Sequence, residues 1–315
     1  MRAIVNTGPG TLQWLEMPMP EPAPGQVRVR TLAVGICATD LQMIDGWERT
    51  GFPSVPGHEW SGEVDAVGEG VRGALLGKRC VAENVLADGG EVGFEHPGGY
   101  GEYLLTEAAN VHLLPDGFAP ATAALIEPLA VCLRAMGRAR VRERTPTHAM
   151  VIGDGPIGLI AVMLLGRAGV GRVTLLGGRD TRLALGRELG AATTLNYHET
   201  GDIDDGYPLV VEASGSASGI NTALQAAAPG GRLVVLGDYG PERAGFFWNY
   251  LLHRELEIIG SNTGAGAWAQ AVRLTASEAL PLGRLISHRL PADQFATALE
   301  LARTSPDAVK VVLDW

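Results

Sequence analysis

Three side chains in the first sixty residues offer metal-binding chemistry. Cys37, His58 and Glu59 supply a thiolate, an imidazole and a carboxylate, the side-chain types that bind zinc. A lone Cys or His is ordinary core filler. Here Cys37 ends a strand-like run, and His58-Glu59 lies in the Gly-Pro-rich stretch F-P-S-V-P-G-H-E-W-S-G, where the backbone can bend to aim ligands inward. The set reads as a zinc site with one position open for a substrate.

A second constellation lies further along. Gly153-Asp154-Gly155-Pro156-Ile157-Gly158 fits the pattern G-x-G-x-x-G, with an apolar strand before it, a helix after it and a second strand about twenty residues on. In that setting the first glycine makes the turn, the second lets backbone approach a pyrophosphate, and the third allows close helix packing. The helix N-terminus, opened by Pro156 and Ile157, faces the phosphate charge. The second strand, R-V-T-L-L, ends in Gly177-Gly178-Arg179 without the acid that an NAD-selective site places at its tip. Two glycines leave room there, and Arg179 and Arg182 bring positive charge suited to a 2′-phosphate. The cofactor expected is NADP(H), in preference to NAD(H). The counter-reading turns Asp180 back to the ribose and leaves the arginines as surface charges. The loops at Ala213-Ser214-Gly215, Leu236-Gly237 and Asn262-Thr263 are expected to hold the nicotinamide at the sheet's carboxyl edge.

These residues need elements to position them. Gln26 to Ile36 alternates loosely and reads as a strand delivering Cys37. Gly62 to Val71, Gly77 to Glu83, Gly98 to Leu105 and Asn110 to Leu114 read as further short strands, and M-P-M-P-E-P-A-P-G forbids a helix between the first pieces. The first 115 residues are thus a β-rich domain. Ala121 to Arg138 is helical in composition, with Pro128 inside it, so a helix starts or bends there and Glu127 occupies a special place. The following arginines 138, 140, 142 and 144 read as a solvated turn. From Ala149 apolar strands alternate with helices, which means a doubly wound parallel sheet covered on both faces. Two helix candidates, Ala267 to Ala279 and Ala292 to Arg303, and a last strand, Ala308 to Asp314, close the chain. The fold class is α/β in two domains: residues 1–125 with 262–315 for catalysis, and 126–261 for the dinucleotide.

Composition narrows the partners. A net charge of −10 argues against nucleic acid as the main partner. Three cysteines at irregular spacing, Cys37, Cys80 and Cys132, argue against a disulfide framework and for a reducing compartment. The N-terminal residues lack a long apolar run before a cleavage site, and no apolar run approaches membrane-spanning length. The expectation is a soluble cytoplasmic protein with no membrane partner.

Taken together, G-I-C-A-T-D (35–40), G-H-E-W-S-G (57–62), G-G-Y-G-E-Y (98–103), E-P-L-A-V (127–131) and the glycine fingerprint resemble the zinc-dependent medium-chain dehydrogenase/reductase family, over nearly the whole chain. The resemblance implies a GroES-like catalytic domain beside a Rossmann domain. It implies that Cys37 and His58 are catalytic zinc ligands, that Glu59 exchanges with water on the metal, and that Glu127 is an acidic ligand of the polyol-type members, bound directly or through water. Thr39 then passes the substrate proton, Asp40 partners His58, Lys310 lies on the pyrophosphate, and Tyr197 with Gly177-Gly178-Arg179 matches NADP-selective members. The strand Leu256 to Gly260 resembles the family's dimer edge, which implies a homodimer.

Departures are equally informative. The lobe of four cysteines that holds a structural zinc is missing after Cys80, so one zinc per chain is expected and Cys80 and Cys132 are core thiols. Gln42 stands where many members carry a relay histidine, and His96 reads as a surface histidine. Trp47, Trp60, Phe94 and Trp248 are core or pocket aromatics. The implied reaction is hydride transfer between NADP(H) and a small secondary alcohol, polyol or cyclitol and its ketone. The alternatives are a zinc-free quinone or enone reductase of the same superfamily and a non-catalytic binding protein on the same fold.

Overall fold

A computed structural model of the chain describes every residue except Glu48, Asp202, Pro241 and Glu242. Near the N-terminus β1 (Arg2–Gly8) and β2 (Thr11–Glu16) pair as an antiparallel hairpin. In β3 (Gln26–Ile36) Val27, Val29 and Thr31 are buried between more open neighbours, and from Ala33 onward every residue is buried. That strand leads into α1 (Ala38–Ile44), a helix of only seven residues that was not expected because it is too short to show a period. Then follow β4 (Glu59–Val67), β5 (Arg79–Ala82), β6 (Tyr103–Glu107) and β7 (Val111–Leu113).

The segment Gly98–Leu105, expected as one strand, is extended only from Tyr103. Before it the G-G-Y-G turn packs on the ligand-bearing turn: Gly99 N–H donates to the Gly57 carbonyl (2.8 Å) and Tyr100 N–H to that of Pro56 (3.0 Å). The single helix expected over Ala121–Arg138 is two, α2 (Pro120–Ala124) and α3 (Ile126–Arg138), separated at Leu125. Pro128 falls in the first turn of α3, where its missing N–H has no partner to lose. Glu127 is in that same turn.

The chain next forms β8 (His148–Ile152), α4 (Pro156–Arg167), β9 (Arg172–Gly177), α5 (Asp180–Glu188), β10 (Thr193–Asn196), β11 (Tyr207–Glu212), α6 (Ala217–Ala226), β12 (Ala227–Val235), α7 (Trp248–His253) and β13 (Glu257–Gly260). Their strands make a six-stranded parallel sheet in the order β10-β9-β8-β11-β12-β13. This is the dinucleotide-binding order, and its direction reverses between β8 and β11, the position where such sheets bind ligand. The apolar strands and the run Leu159–Leu165 of α4 are buried, as a sheet covered by helices requires.

Finally α8 (Trp268–Ala276), β14 (Ile286–Pro291), α9 (Phe295–Thr304) and β15 (Lys310–Asp314) return to the first sheet. There the order is β14-β15-β3-β4-β5-β7, with β6 also on β3. By contacts the chain divides into Met1–Glu127 with Trp268–Trp315, and Pro128–Ala267, so the segment from Asn262 to Ala267 lies with the second unit rather than the first. Among the described residues no helix is long and apolar enough to cross a membrane.

Candidate active site

Sheet register brings the ligand candidates together. β3 and β4 are antiparallel with Gly35 opposite Glu59, so Cys37, just past the end of β3, meets His58 and Glu59 at the start of β4. One donor atom from each of Cys37, His58 and Glu59 lies within 4.8 Å of the others. Among the described residues this is the one cluster of its kind. Asp40, fully buried, fixes it. Its Oδ2 accepts the Cys37 N–H (2.8 Å), and its Oδ1 accepts the Gly57 N–H (3.2 Å) and lies 3.2 Å from His58 Nδ1. With Nδ1–H donated to Asp40, His58 presents Nε2 to a metal. The Phe94 ring lies against the imidazole at 4.8 Å. Burial works against a charged His58, but the charge and hydrogen bond of Asp40, with Cys37, raise its pKa well above the ordinary value. The place therefore favours positive charge, and a thiolate, an imidazole that turns Nε2 toward it and a carboxylate are a fitting donor set for zinc.

Glu59 is not free of other ties. Lys310 Nζ donates to both its carboxylate oxygens (2.8 and 2.7 Å) and to the Ile36 carbonyl (3.2 Å). Lys310 is 2% exposed. β15 pairs with β3, with Val311 opposite Ile36, and that register brings the ammonium, expected on a cofactor pyrophosphate, to Glu59 in the candidate metal cluster. Burial pushes the Lys310 pKa down, but Glu59 and Cys37 more than reverse it.

Glu127 stands outside the cluster of three. Burial pushes its carboxyl up to about 7, with His58 opposing and Glu59 adding to the rise. Thr39 Oγ1 lies 3.7 Å from Cys37 Sγ, and both residues are half-buried, on the accessible side of the cluster. Trp60 is core, Phe94 touches the site, and Trp248 is 69% exposed in the second unit. Cys80 and Cys132 are buried free thiols, and burial lifts Cys80 to about 12. His96 pairs with Asp88 on the surface (2.9 Å).

In the second unit Gly153 has φ +115°, and a Cβ there would strike the Ala213 backbone, so the turn crosses the end of β11 closely. Gly155 caps α4 and Pro156 is in its first turn. The room expected at Gly177 and Gly178 is taken by this chain's own side chains. A Cβ on Gly177 would lie 2.5 Å from Asp154 Cβ, and one on Gly178 would strike the Tyr197 ring. Asp154 Oδ2 accepts the N–H groups of Gly178 and Arg179 (2.9 Å each), and Oδ1 lies 3.7 Å from Arg182 Nη1 and 3.9 Å from Arg179 Nη1. Asp180 accepts from Asn196 Nδ2 (2.8 Å) and Tyr197 is 58% exposed.

Two residues here escaped the sequence reading. Asp154 is the unconstrained x of G-x-G. Glu212, the acid ending the apolar strand β11, is fully buried. It accepts from Ser214 N–H (2.7 Å), the Ser214 hydroxyl and the Tyr239 hydroxyl (2.5 Å), while its carbonyl accepts Leu236 N–H (2.8 Å). It thereby ties Ser214 and Leu236 together at the sheet's carboxyl edge. A charged residue closing an otherwise apolar strand was its available signal. Asn262 is exposed, next to Thr263, whose hydroxyl accepts from Arg134 (2.9 Å).

Comparison with known proteins fits this architecture. Residues 23–116 match the alcohol dehydrogenase GroES-like domain and residues 156–277 the zinc-binding dehydrogenase domain. An L-threonine 3-dehydrogenase of Saccharopolyspora erythraea is 30% identical over 347 residues, covering 100% of this chain and 99% of the relative. An alcohol dehydrogenase of E. coli CFT073 solved with NADH superposes with a TM-score of 0.92 at 28% identity, covering 100% of this chain and 99% of that one. A zinc-binding dehydrogenase of Sinorhizobium meliloti 1021 bound to NADP gives 0.92 at 26% identity, with coverage of 100% and 99%. The chain belongs to the zinc-type medium-chain dehydrogenase/reductase family. It is an alcohol or polyol oxidoreductase that uses a nicotinamide dinucleotide.

Two expectations follow from the geometry. Asp40→Asn keeps the shape but removes the charge on His58, and zinc affinity should fall roughly 10–100-fold in competition with a chromogenic chelator; unchanged affinity would remove Asp40 from the site. Glu127 has a folded pKa of about 7 against an ordinary 4.5, so its contribution to stability is full below 4.5 and lost as pH rises through about 7. The metal-free protein should lose on the order of 1–3 kcal/mol through this group over that interval. Glu127→Gln should flatten that part of the denaturation profile, and an identical slope would contradict the assignment.

Proposed function

We propose that this protein is a zinc-dependent dehydrogenase that prefers NADP(H) and interconverts a secondary alcohol, polyol or cyclitol with its ketone. The observation that carries this reading is the convergence of Cys37, His58 and Glu59 around the buried carboxylate of Asp40. Cys37, His58 and Glu59 would hold the metal. When bound, zinc acts as a Lewis acid that eases deprotonation of an alcohol or polarises a carbonyl. Asp40 keeps the His58 tautomer and orientation. Lys310 holds Glu59 from behind and limits its swing, so Glu59 shares its charge between the ammonium and the metal site. Thr39, on the accessible side beside Cys37, passes the substrate proton on, and Gln42, which cannot carry charge, ends the side-chain relay. The acidic Glu127 near the cluster supports a hydroxyl-rich substrate.

In the second unit the turn Gly153–Gly158 and the start of α4 would receive the pyrophosphate. Ala213, Ser214 and Leu236, tied by Glu212, would hold the nicotinamide, and the dinucleotide supplies the hydride chemistry. Arg179, the N-cap of α5, and Arg182, in its first turn, would read the 2′-phosphate. The free cysteines support a cytoplasmic setting, and β13, an edge strand with Ile258 43% exposed, supports pairing as a homodimer.

Cys37→Ser is expected to remove both bound zinc and turnover with secondary alcohols while NADPH still binds. Full activity after complete chelation would overturn the zinc reading. Arg179→Ala removes a charge-assisted contact of ~1.5–3 kcal/mol, so NADPH binding should weaken by about 10–150-fold with NADH nearly untouched. Equal losses for both would sink the cofactor preference.

A further inference from the structure

At the end of β9 four donors converge on one point: the N–H groups of Gly178 and Arg179 and the guanidinium groups of Arg179 and Arg182. That set would suit a phosphate dianion, since charge-assisted bonds from paired guanidinium and backbone donors are the strong ones. The place already has an anion. Asp154 reaches it from the neighbouring strand's turn, with only 9% of its side chain exposed. Its two oxygens do different things. Oδ2 is occupied by the two backbone N–H groups at 2.9 Å each. Oδ1 faces the arginines at 3.7 and 3.9 Å, the distances of two ion pairs, so its negative charge lies against both guanidinium groups.

We propose that Asp154 is a residue that sets cofactor choice, by acting as a built-in competitor of the 2′-phosphate. The inference rests on the dinucleotide site proposed above. Two arginines alone present two positive charges to the ribose. Asp154 cancels one of them and puts a fixed negative charge beside any phosphate bound there. The 2′-hydroxyl of NAD(H) meets no such repulsion and can donate to Oδ1, the role that an acid at the strand tip fills where one is present. Asp154 therefore caps the preference for NADP(H) and keeps NAD(H) usable. Glycine at 177 and 178 belongs to the same device, because a side chain at 177 would displace Asp154 and one at 178 would displace Tyr197.

Asp154→Asn separates the two roles. The amide oxygen can still accept the Gly178 and Arg179 N–H groups, while the charge is gone. The experiment measures dissociation constants of NADPH and NADH for wild type, Asp154→Asn and Arg179→Ala by quenching of intrinsic fluorescence. The ratio of the NADH to the NADPH constant should rise about tenfold or more in Asp154→Asn, an effect in the range of one charge–charge contact near a protein surface. A merely structural role would weaken both cofactors alike and leave the ratio unchanged, and that result overturns the proposal. If Arg179→Ala selectively weakens NADPH while Asp154→Asn leaves the ratio unchanged, this inference falls and the proposed cofactor reading stands. If the wild type binds neither cofactor, both fall. Asp154→Ser removes the same charge and gives the same expected rise in ratio should the asparagine protein fail to fold.

Discussion

One buried carboxylate organises the cluster of candidate metal ligands. Asp40 has no solvent exposure, and its oxygens bind the backbone at Cys37 and Gly57 and the ring of His58. A carboxylate in that position carries a large desolvation penalty unless its lone pairs are filled. Filling them holds the end of β3, the start of α1 and the turn before β4 in one arrangement. The candidate ligands are thus held in place by the fold's own hydrogen bonds, as a site on rigid supports requires.

The second unit repeats the device. Asp154 takes two consecutive backbone N–H groups at the end of β9, and Glu212 takes Ser214 and Tyr239 beyond β11. Each acid is buried, and each fixes a loop at the carboxyl edge of the sheet. Hydrogen bonds to a charged acceptor contribute about 1.5–3 kcal/mol each, enough to hold a glycine-rich loop in a single conformation. Charge balance at the metal cluster follows the same logic. Glu59 is countered by Lys310, while Glu127 is pushed toward its protonated form by burial. The cluster thus limits the number of uncompensated buried negative charges.

Much of this was legible in the amino-acid order. The apolar strands from Ala149 onward fixed a parallel sheet, because their length and their alternation with helices leave no other packing. Cys37 and His58-Glu59 were legible from residue type and turn chemistry. What escaped depends on register. Lys310 reads as a cation near the C-terminus, and only the pairing of β15 with β3 shows that it reaches Glu59. The two glycines at 177 and 178 read as open space, but Asp154 and Tyr197 fill it. A pattern marks where a Cβ is missing and does not say which neighbour uses the room. Helix α1 and the break at Leu125 were hidden because short helices show no period.

The proposed zinc site takes one thiolate, one imidazole and carboxylate oxygen around Asp40. Zinc K-edge X-ray absorption on the zinc-loaded protein tests it most directly. One sulfur at about 2.3 Å and nitrogen or oxygen neighbours at about 2.0–2.2 Å are expected, with one zinc per chain. A shell without sulfur, a shell with several sulfurs, or failure to retain zinc would contradict it.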